Sequence, residues 1–334
     1  MPKELVFKCL RWWIPKSVFI DVLYSARVQR AHYKNLMVCA SVWMCPICSA
    51  KISERRRVEL AGAIDANADE LQVALVSFTL HHSAKDSLKV MLNRLLESYR
   101  ELKSGRTWKD FSQESLLVGS IRSLETTYGV NGWHPHLHVL MFFCKGANLD
   151  AVEEFLKTRW LYVLDRNGAT ASYRRGVDFR TADRDVAEYV AKFGHEPVNL
   201  KRPGKWTMEH ELTKGVAKIA RGAKGKSPTQ LLADFVDGDR ASAMLWQEYA
   251  RAFKGKRQLV WSRGLRTKLG LGYEETDEAI AKREDEQAVR LLSLTLRQWR
   301  TVLGNDARGE VLEIASSGDR DQVLEFLERI GACD

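Results

Sequence analysis

The sequence predicts an α+β fold with an antiparallel central sheet, and three observations carry that expectation. Apolar stretches of strand character, residues 71–80 and 132–143, alternate with stretches of helical period such as Leu88, Leu92, Leu95, Tyr99 and Leu102. The connector Tyr128-Gly129-Val130-Asn131-Gly132 is short and rich in turn residues, so the strands on either side of it pair as a hairpin. The length, 334 residues, suffices for one full-sized core with elaborations or for two domains.

Taken in order, residues 1–52 form a cysteine segment in which Trp12, Trp13 and Trp43 are available to pack around a small metal-centred core. A helical stretch opens at Ser53-Glu54, followed by Arg55-Arg56-Arg57. Leu-Gln-Val-Ala-Leu-Val-Ser-Phe-Thr-Leu, residues 71–80, is rich in β-branched and apolar side chains and reads as a buried strand. An amphipathic helix follows, then a strand near 116–126, the hairpin connector and the second hairpin strand. A helix near 149–164, a strand near 171–179 and a helix near 182–193 complete the α+β core. Beyond Glu196 the chain turns basic and polar, then helical to the end. The expected division is a zinc-binding segment (1–52), a core (53–200) and a basic, mainly helical C-terminal region (201–334).

Lys and Arg number 52 against 43 Asp and Glu, a net charge of +9 that suits a polyanionic partner or a basic enzyme. Lys3, Glu4 and Lys8 interrupt the apolar residues at the start, so no secretory signal is expected. No apolar run approaches the ~20 residues that span a bilayer, and no membrane partner is expected. A reduced, cytoplasmic setting follows, one in which thiolates are available to zinc.

The second hairpin strand reads Gly-Trp-His-Pro-His-Leu-His-Val-Leu-Met-Phe-Phe. Residues two apart on a strand share a face, so His136 and His138 project together while Leu137, Val139 and Met141 face the other way, into a core. Two imidazoles so placed are either a chelate for one cation or a pair on a solvated face. His134 lies about 13 Å from His138 along an extended strand, at about 3.3 Å per residue, too far to share the ion. A hard divalent ion also wants oxygen, and Glu125, near the end of the partner strand, is the candidate third ligand or else a surface carboxylate. His81 and His82 can approach the same place, although as polar residues opening the next helix they need no such role. Cys39, Cys45 and Cys48 stand as Cys-x5-Cys-Pro-x-Cys, a zinc knuckle or a redox dithiol; with zinc, Cys9 is the fourth ligand and His32 its substitute. In Asp185-Val186-Ala187-Glu188-Tyr189-Val190-Ala191-Lys192, helical spacing puts Asp185, Tyr189 and Lys192 on one patch. Tyr189 is there a nucleophile toward phosphorus or, with Val186, Val190 and Phe193, part of a core stripe.

The motifs and their order resemble the HUH nickases, specifically the rolling-circle plasmid replication initiators with an N-terminal zinc segment. The matching residues are Cys39 to Cys48, Phe78-Thr79-Leu80, His134-Pro135-His136-Leu137-His138 and Tyr189-Val190-Ala191-Lys192. Glu209 to Lys214 and Gln258 to Ser262 are also similar, and the matches together span about half the chain. The resemblance implies an HUH-type central antiparallel sheet that offers His136 and His138 to Mg²⁺ or Mn²⁺. It also implies attack by Tyr189 that leaves a 5′-phosphotyrosyl enzyme and a free 3′-hydroxyl primer. Asp185 stands where a glutamate is the familiar base, with Glu188 as runner-up. The implied partners are plasmid origin DNA, as a single-stranded or hairpin nick site with flanking duplex, and a host helicase with the replication machinery. Lys201, Arg202, Lys205, Lys214, Lys218, Arg221, Lys224 and Lys226 around Trp206, and Lys254, Lys256, Arg257, Arg263, Arg266 and Lys268 around Trp261, would then meet phosphates and bases, as would Lys51 and Arg55 to Arg57 on the duplex. An HUH transposase or relaxase shares this chemistry; a zinc-dependent DNA-binding regulator, with Tyr189 and the histidines structural, does not.

Overall fold

A computed structural model describes residues 4–181 and 225–333. In chain order its elements are α1 (Leu5–Lys8), β1 (Phe19–Ser25), β2 (Arg30–Lys34), α2 (Pro46–Ala66), β3 (Leu71–Phe78), α3 (Leu88–Leu102), α4 (Gly105–Glu114), β4 (Leu117–Gly129), β5 (Gly132–Cys144), α5 (Leu149–Arg166) and β6 (Val177–Thr181). There follow β7 (Gly225–Lys226), α6 (Pro228–Val236), α7 (Arg240–Phe253), β8 (Leu259–Trp261), α8 (Leu265–Lys268), α9 (Asp277–Lys282), β9 (Val289–Thr295), α10 (Leu296–Gly304), α11 (Arg308–Ala315) and α12 (Arg320–Arg329). They divide into two compact units, residues 1–41 with 275–334 and residues 42–274. The segments expected from the sequence, 1–52, 53–200 and 201–334, cross these units.

The larger unit is the expected central antiparallel sheet flanked by helices, with strand order β6-β3-β5-β4-β7 and β8 also paired to β4. β4 and β5 form a hairpin of 13 residues a side, longer than expected, because pairing continues to Gly129↔Gly132 and leaves only Val130 and Asn131 to turn. Gly132 has φ 82°, and a Cβ there would stand 2.8 Å from the Ala84 Cα and 2.9 Å from the Ser83 carbonyl oxygen. The hairpin thus abuts the loop between β3 and α3. Both faces of β5 are covered. Leu137, Val139 and Met141 are buried on one side, where α3 packs. Leu140 and Phe142, on the histidine side, meet Leu60, Ala63 and Ile64 of α2 and Leu259, Leu265 and Leu269.

Helix α2 starts seven residues earlier than Ser53. Cys45 is its extended N-cap and Pro46 its first residue, where the ring's fixed φ suits a helix and the missing N–H costs no hydrogen bond. The Cys-Pro-x-Cys motif is therefore a helix start as well as a knuckle. Strand β6 begins at Val177 rather than 171. The helix expected at 182–193 lies outside the described residues.

The smaller unit differs from a metal-centred segment. Its three-stranded antiparallel sheet, β2-β1-β9, joins the two ends of the chain. Ile20, Val22, Leu292, Leu294, Trp299, Val302, Val311 and Phe326 make an apolar core under α10, α11 and α12. Trp13 packs partly against that core and Trp12 is exposed, while Trp43 belongs to the larger unit, edge-on to Phe253. Among the described residues no helix is long and apolar enough to cross a membrane.

Candidate metal centre

The β4–β5 register sets Glu125 directly opposite His136 and Ser123 opposite His138, so Glu125 and both imidazoles rise from one face of the hairpin. The third ligand expected from the sequence is thus brought to the histidine pair. His136 Nε2 lies 3.7 Å from Glu125 Oε1, and His138 Nε2 lies 3.3 Å from Oε2. One ligand atom from each residue falls within 4.8 Å of the others. Donors on one ion at bonds of about 2.1 Å sit about 3–3.5 Å apart, so a small contraction closes this set on a divalent cation. Two imidazole nitrogens and one carboxylate oxygen suit Mn²⁺ or a borderline ion better than Mg²⁺.

The outward nitrogens fix the rings. His136 Nδ1 lies 3.1 Å from the His134 carbonyl oxygen, which can only accept, so the proton sits on Nδ1 and the Nε2 lone pair faces Glu125. His138 Nδ1 lies 2.9 Å from the hydroxyl of Ser77, its cross-strand partner on β3. His134 is outside the ligand group: its ring lies beside that of His136 and stacks on His82, with centroids 4.7 Å apart in the second contact. Burial, then His136 and His82, hold the His134 imidazole neutral, its pKa pushed down to about 3.

The cysteines fall in two pairs. In the smaller unit Cys9 and Cys39 have sulfurs within 4.8 Å of each other, and the Ser41 N–H donates to Cys39 Sγ at 3.5 Å around Ala40 at φ 51°. In the larger unit Cys45 and Cys48 bracket the first turn of α2, again with sulfurs within 4.8 Å. Cys9, Cys45 and Cys48 are buried, and an N–H aimed at sulfur favours the thiolate that zinc needs.

A family model described as "Replication protein", Rep_1, matches residues 32–302. This chain belongs to the Rep_1 family. "Protein rep" of Streptomyces lividans is 30% identical over 73% of this chain, which covers 66% of that relative's length. "Neomycin resistance protein" of Streptomyces cyanogenus is 29% identical over 32% of this chain and 30% of its own. No solved structure matches.

Of the Rep_1 residues expected to act, Glu125, His136, His138 and the two cysteine pairs are described; Asp185, Glu188, Tyr189 and Lys192 lie outside the described residues. Among the described residues Tyr249 feels the charge of Glu125, but it is 1% exposed and donates to the Trp43 carbonyl at 3.3 Å. Burial, reinforced by Glu125, pushes its pKa far up, which makes it a poor nucleophile. One expectation is corrected. His82 sits in the loop before α3 rather than opening the helix, and reaches the histidine row through His134. Several of the cations expected to meet DNA also hold ion pairs: Arg266 forks onto Glu59 at 2.7 and 3.0 Å and stacks on Trp261, Arg56 meets Glu274 at 2.7 Å, and Arg57 meets Glu54. Sequence reading missed Ser77, visible only as a hydroxyl interrupting an apolar strand. It also missed Glu248, which accepts from Trp133 Nε1 and from the Leu88 N–H at 2.9 Å each and so ties the start of β5 to the start of α3.

Proposed function

We propose that this Rep_1 protein nicks and rejoins one strand of plasmid origin DNA to start rolling-circle replication, with Tyr189 as nucleophile. The observation that supports this reading is the convergence of Glu125, His136 and His138 on one face of a rigid hairpin in a replication-protein chain. A divalent ion, when bound there, supplies Lewis-acid polarisation of the scissile phosphate. The chain's residues do the rest. Glu125, His136 and His138 hold the ion, and the His134 carbonyl and Ser77 orient the rings. The Tyr189 phenol oxygen bonds to phosphorus as the bond to the 3′ oxygen breaks; the phenol proton leaves to solvent and the departing oxygen is protonated to the 3′-hydroxyl primer. Lys192 stabilises charge on the phosphate, and Asp185, or else Glu188, activates the water that ends the cycle. Cys9, Cys39, Cys45 and Cys48 hold one structural zinc. The partners are the origin's single-stranded or hairpin nick site, its flanking duplex and a host helicase.

A labelled single-stranded origin fragment with Mn²⁺, followed by denaturing electrophoresis, tests the reaction. The native chain gives a covalent adduct that Tyr189→Phe does not form. A phosphodiester mapped to any other tyrosine overturns the assignment. Metal analysis tests the zinc: one per chain persists in the His136→Ala, His138→Ala double variant and is lost in Cys45→Ser, and the opposite pattern refutes the placement.

A further inference from the structure

On the face of β4 opposite Glu125 lies a basic pair that the nicking reading does not use. Lys103 caps the end of α3 and donates from Nζ to Ser120 Oγ at 3.2 Å, with its ammonium 5.3 Å from the Tyr99 ring centroid. Arg122, two residues along β4 on the same face as Ser120, has a buried Nη1 without a hydrogen-bond acceptor. Among the described residues neither cation is paired with a carboxylate, and burial together with the charge of Arg122 disfavours the Lys103 ammonium. Buried guanidinium donors are normally satisfied, and two like charges half-withdrawn from water repel. A bidentate acceptor with negative charge resolves both problems. Ser120 is held in place, since its N–H donates to Ser262 Oγ at 2.9 Å and its carbonyl accepts from the Ser262 N–H at 2.8 Å.

We propose that Lys103, Ser120 and Arg122 form a phosphate-binding site on the sheet face opposite the metal centre, distinct from the scissile phosphate. The ligand is a phosphate group, either a backbone phosphate of a bound strand or a free phosphate. The site stands whether or not Tyr189 is the nucleophile.

Thermal unfolding of the full chain in sodium phosphate, against sodium chloride of equal ionic strength, tests it, together with the salt dependence of binding to a mixed-sequence single-stranded oligonucleotide. Arg122→Met and Lys103→Met are the variants. Phosphate is expected to raise the native midpoint above the chloride value, and both variants to lose that increment. In chloride Arg122→Met is expected to shift the midpoint upward by about 2–4 °C, since it removes like-charge repulsion and a buried unmet donor. A purely structural arginine gives a fall. If the oligonucleotide's log–log salt slope shrinks by about 0.7 per cation removed, the ligand is a strand phosphate; if phosphate stabilises and the slope is unchanged, it is free phosphate. No phosphate-specific shift together with an unchanged slope overturns the site, as does a lowered midpoint of Arg122→Met in chloride.

Discussion

The hairpins β1–β2 and β4–β5 each belong to an antiparallel sheet backed by helices, and they differ in what they bury. The first puts Ile20, Val22 and Tyr33 into an apolar core, and the two polar atoms that enter with the aromatics have partners: Tyr33 donates to the Arg308 carbonyl and Trp299 Nε1 to the Arg11 carbonyl, each at 2.9 Å. The second carries Glu125 at 2% exposure, His138 at 6% and His136 at 9%. A carboxylate enclosed by imidazoles is costly to desolvate unless a cation joins it. One hairpin therefore buries apolar side chains, whereas the other buries a polar group that could hold a metal ion, with Glu248 tying its second strand to the start of α3.

The largest effect that would break this contrast is on cleavage. His136→Ala or His138→Ala should lower the nicking rate by about 10³-fold, as expected for several kcal/mol of lost metal-assisted stabilisation, while origin binding survives. The thermal midpoint should hold or rise, because a buried polar ring leaves. Retained cleavage, or a collapse of the fold, would place β5 with β1 among hairpins built for packing.

In the smaller unit the expectation reverses. Trp299→Ala should cost about 3–5 kcal/mol in denaturant unfolding, through the cavity it leaves beneath β1 and β9 and the edge contact with Tyr33 at 4.9 Å that it deletes. Mn²⁺ affinity at the histidines should not move, since Leu140 and Phe142 rest on a separate apolar cluster. A parallel loss of metal binding would show that the two sheets do not behave as independent units.

Much of the larger unit was legible because its signals are local. The hairpin follows from a turn between two apolar runs, and the pairing of Glu125 with His136 follows from counting outward from that turn, since register in a hairpin is set by its connector. The smaller unit was not legible, because Phe19 pairs with Thr295 across most of the chain and no spacing rule links residues so far apart. Strand β9 thus read as part of a helical C-terminal stretch. The start of α2 was legible in principle from Pro46 as a first helical residue but was masked by the metal reading of the cysteines beside it. The ion pairs of Arg56, Arg57 and Arg266 were hidden for a related reason: composition counts charges, and only the fold shows which also face Glu274, Glu54 and Glu59.

The smallest expected effect sharpens the contrast most, because it touches no ligand. Ser77 lies opposite His138 on β3 with its hydroxyl 2.9 Å from Nδ1. With a metal on Nε2, the Nδ1–H of His138 donates to Ser77 Oγ, which fixes the tautomer and ring angle that the ion requires. Ser77→Ala should weaken Mn²⁺ binding by about tenfold, the low end for loss of an outer partner to a metal-bound histidine. Cleavage at saturating Mn²⁺ should be nearly restored, since the ligands themselves remain. Ser77→Thr keeps the hydroxyl and should recover most of the affinity. If Ser77→Ala leaves the Mn²⁺ titration unchanged, β5 alone orients His138, and the third strand contributes packing only, as β9 does beside β1.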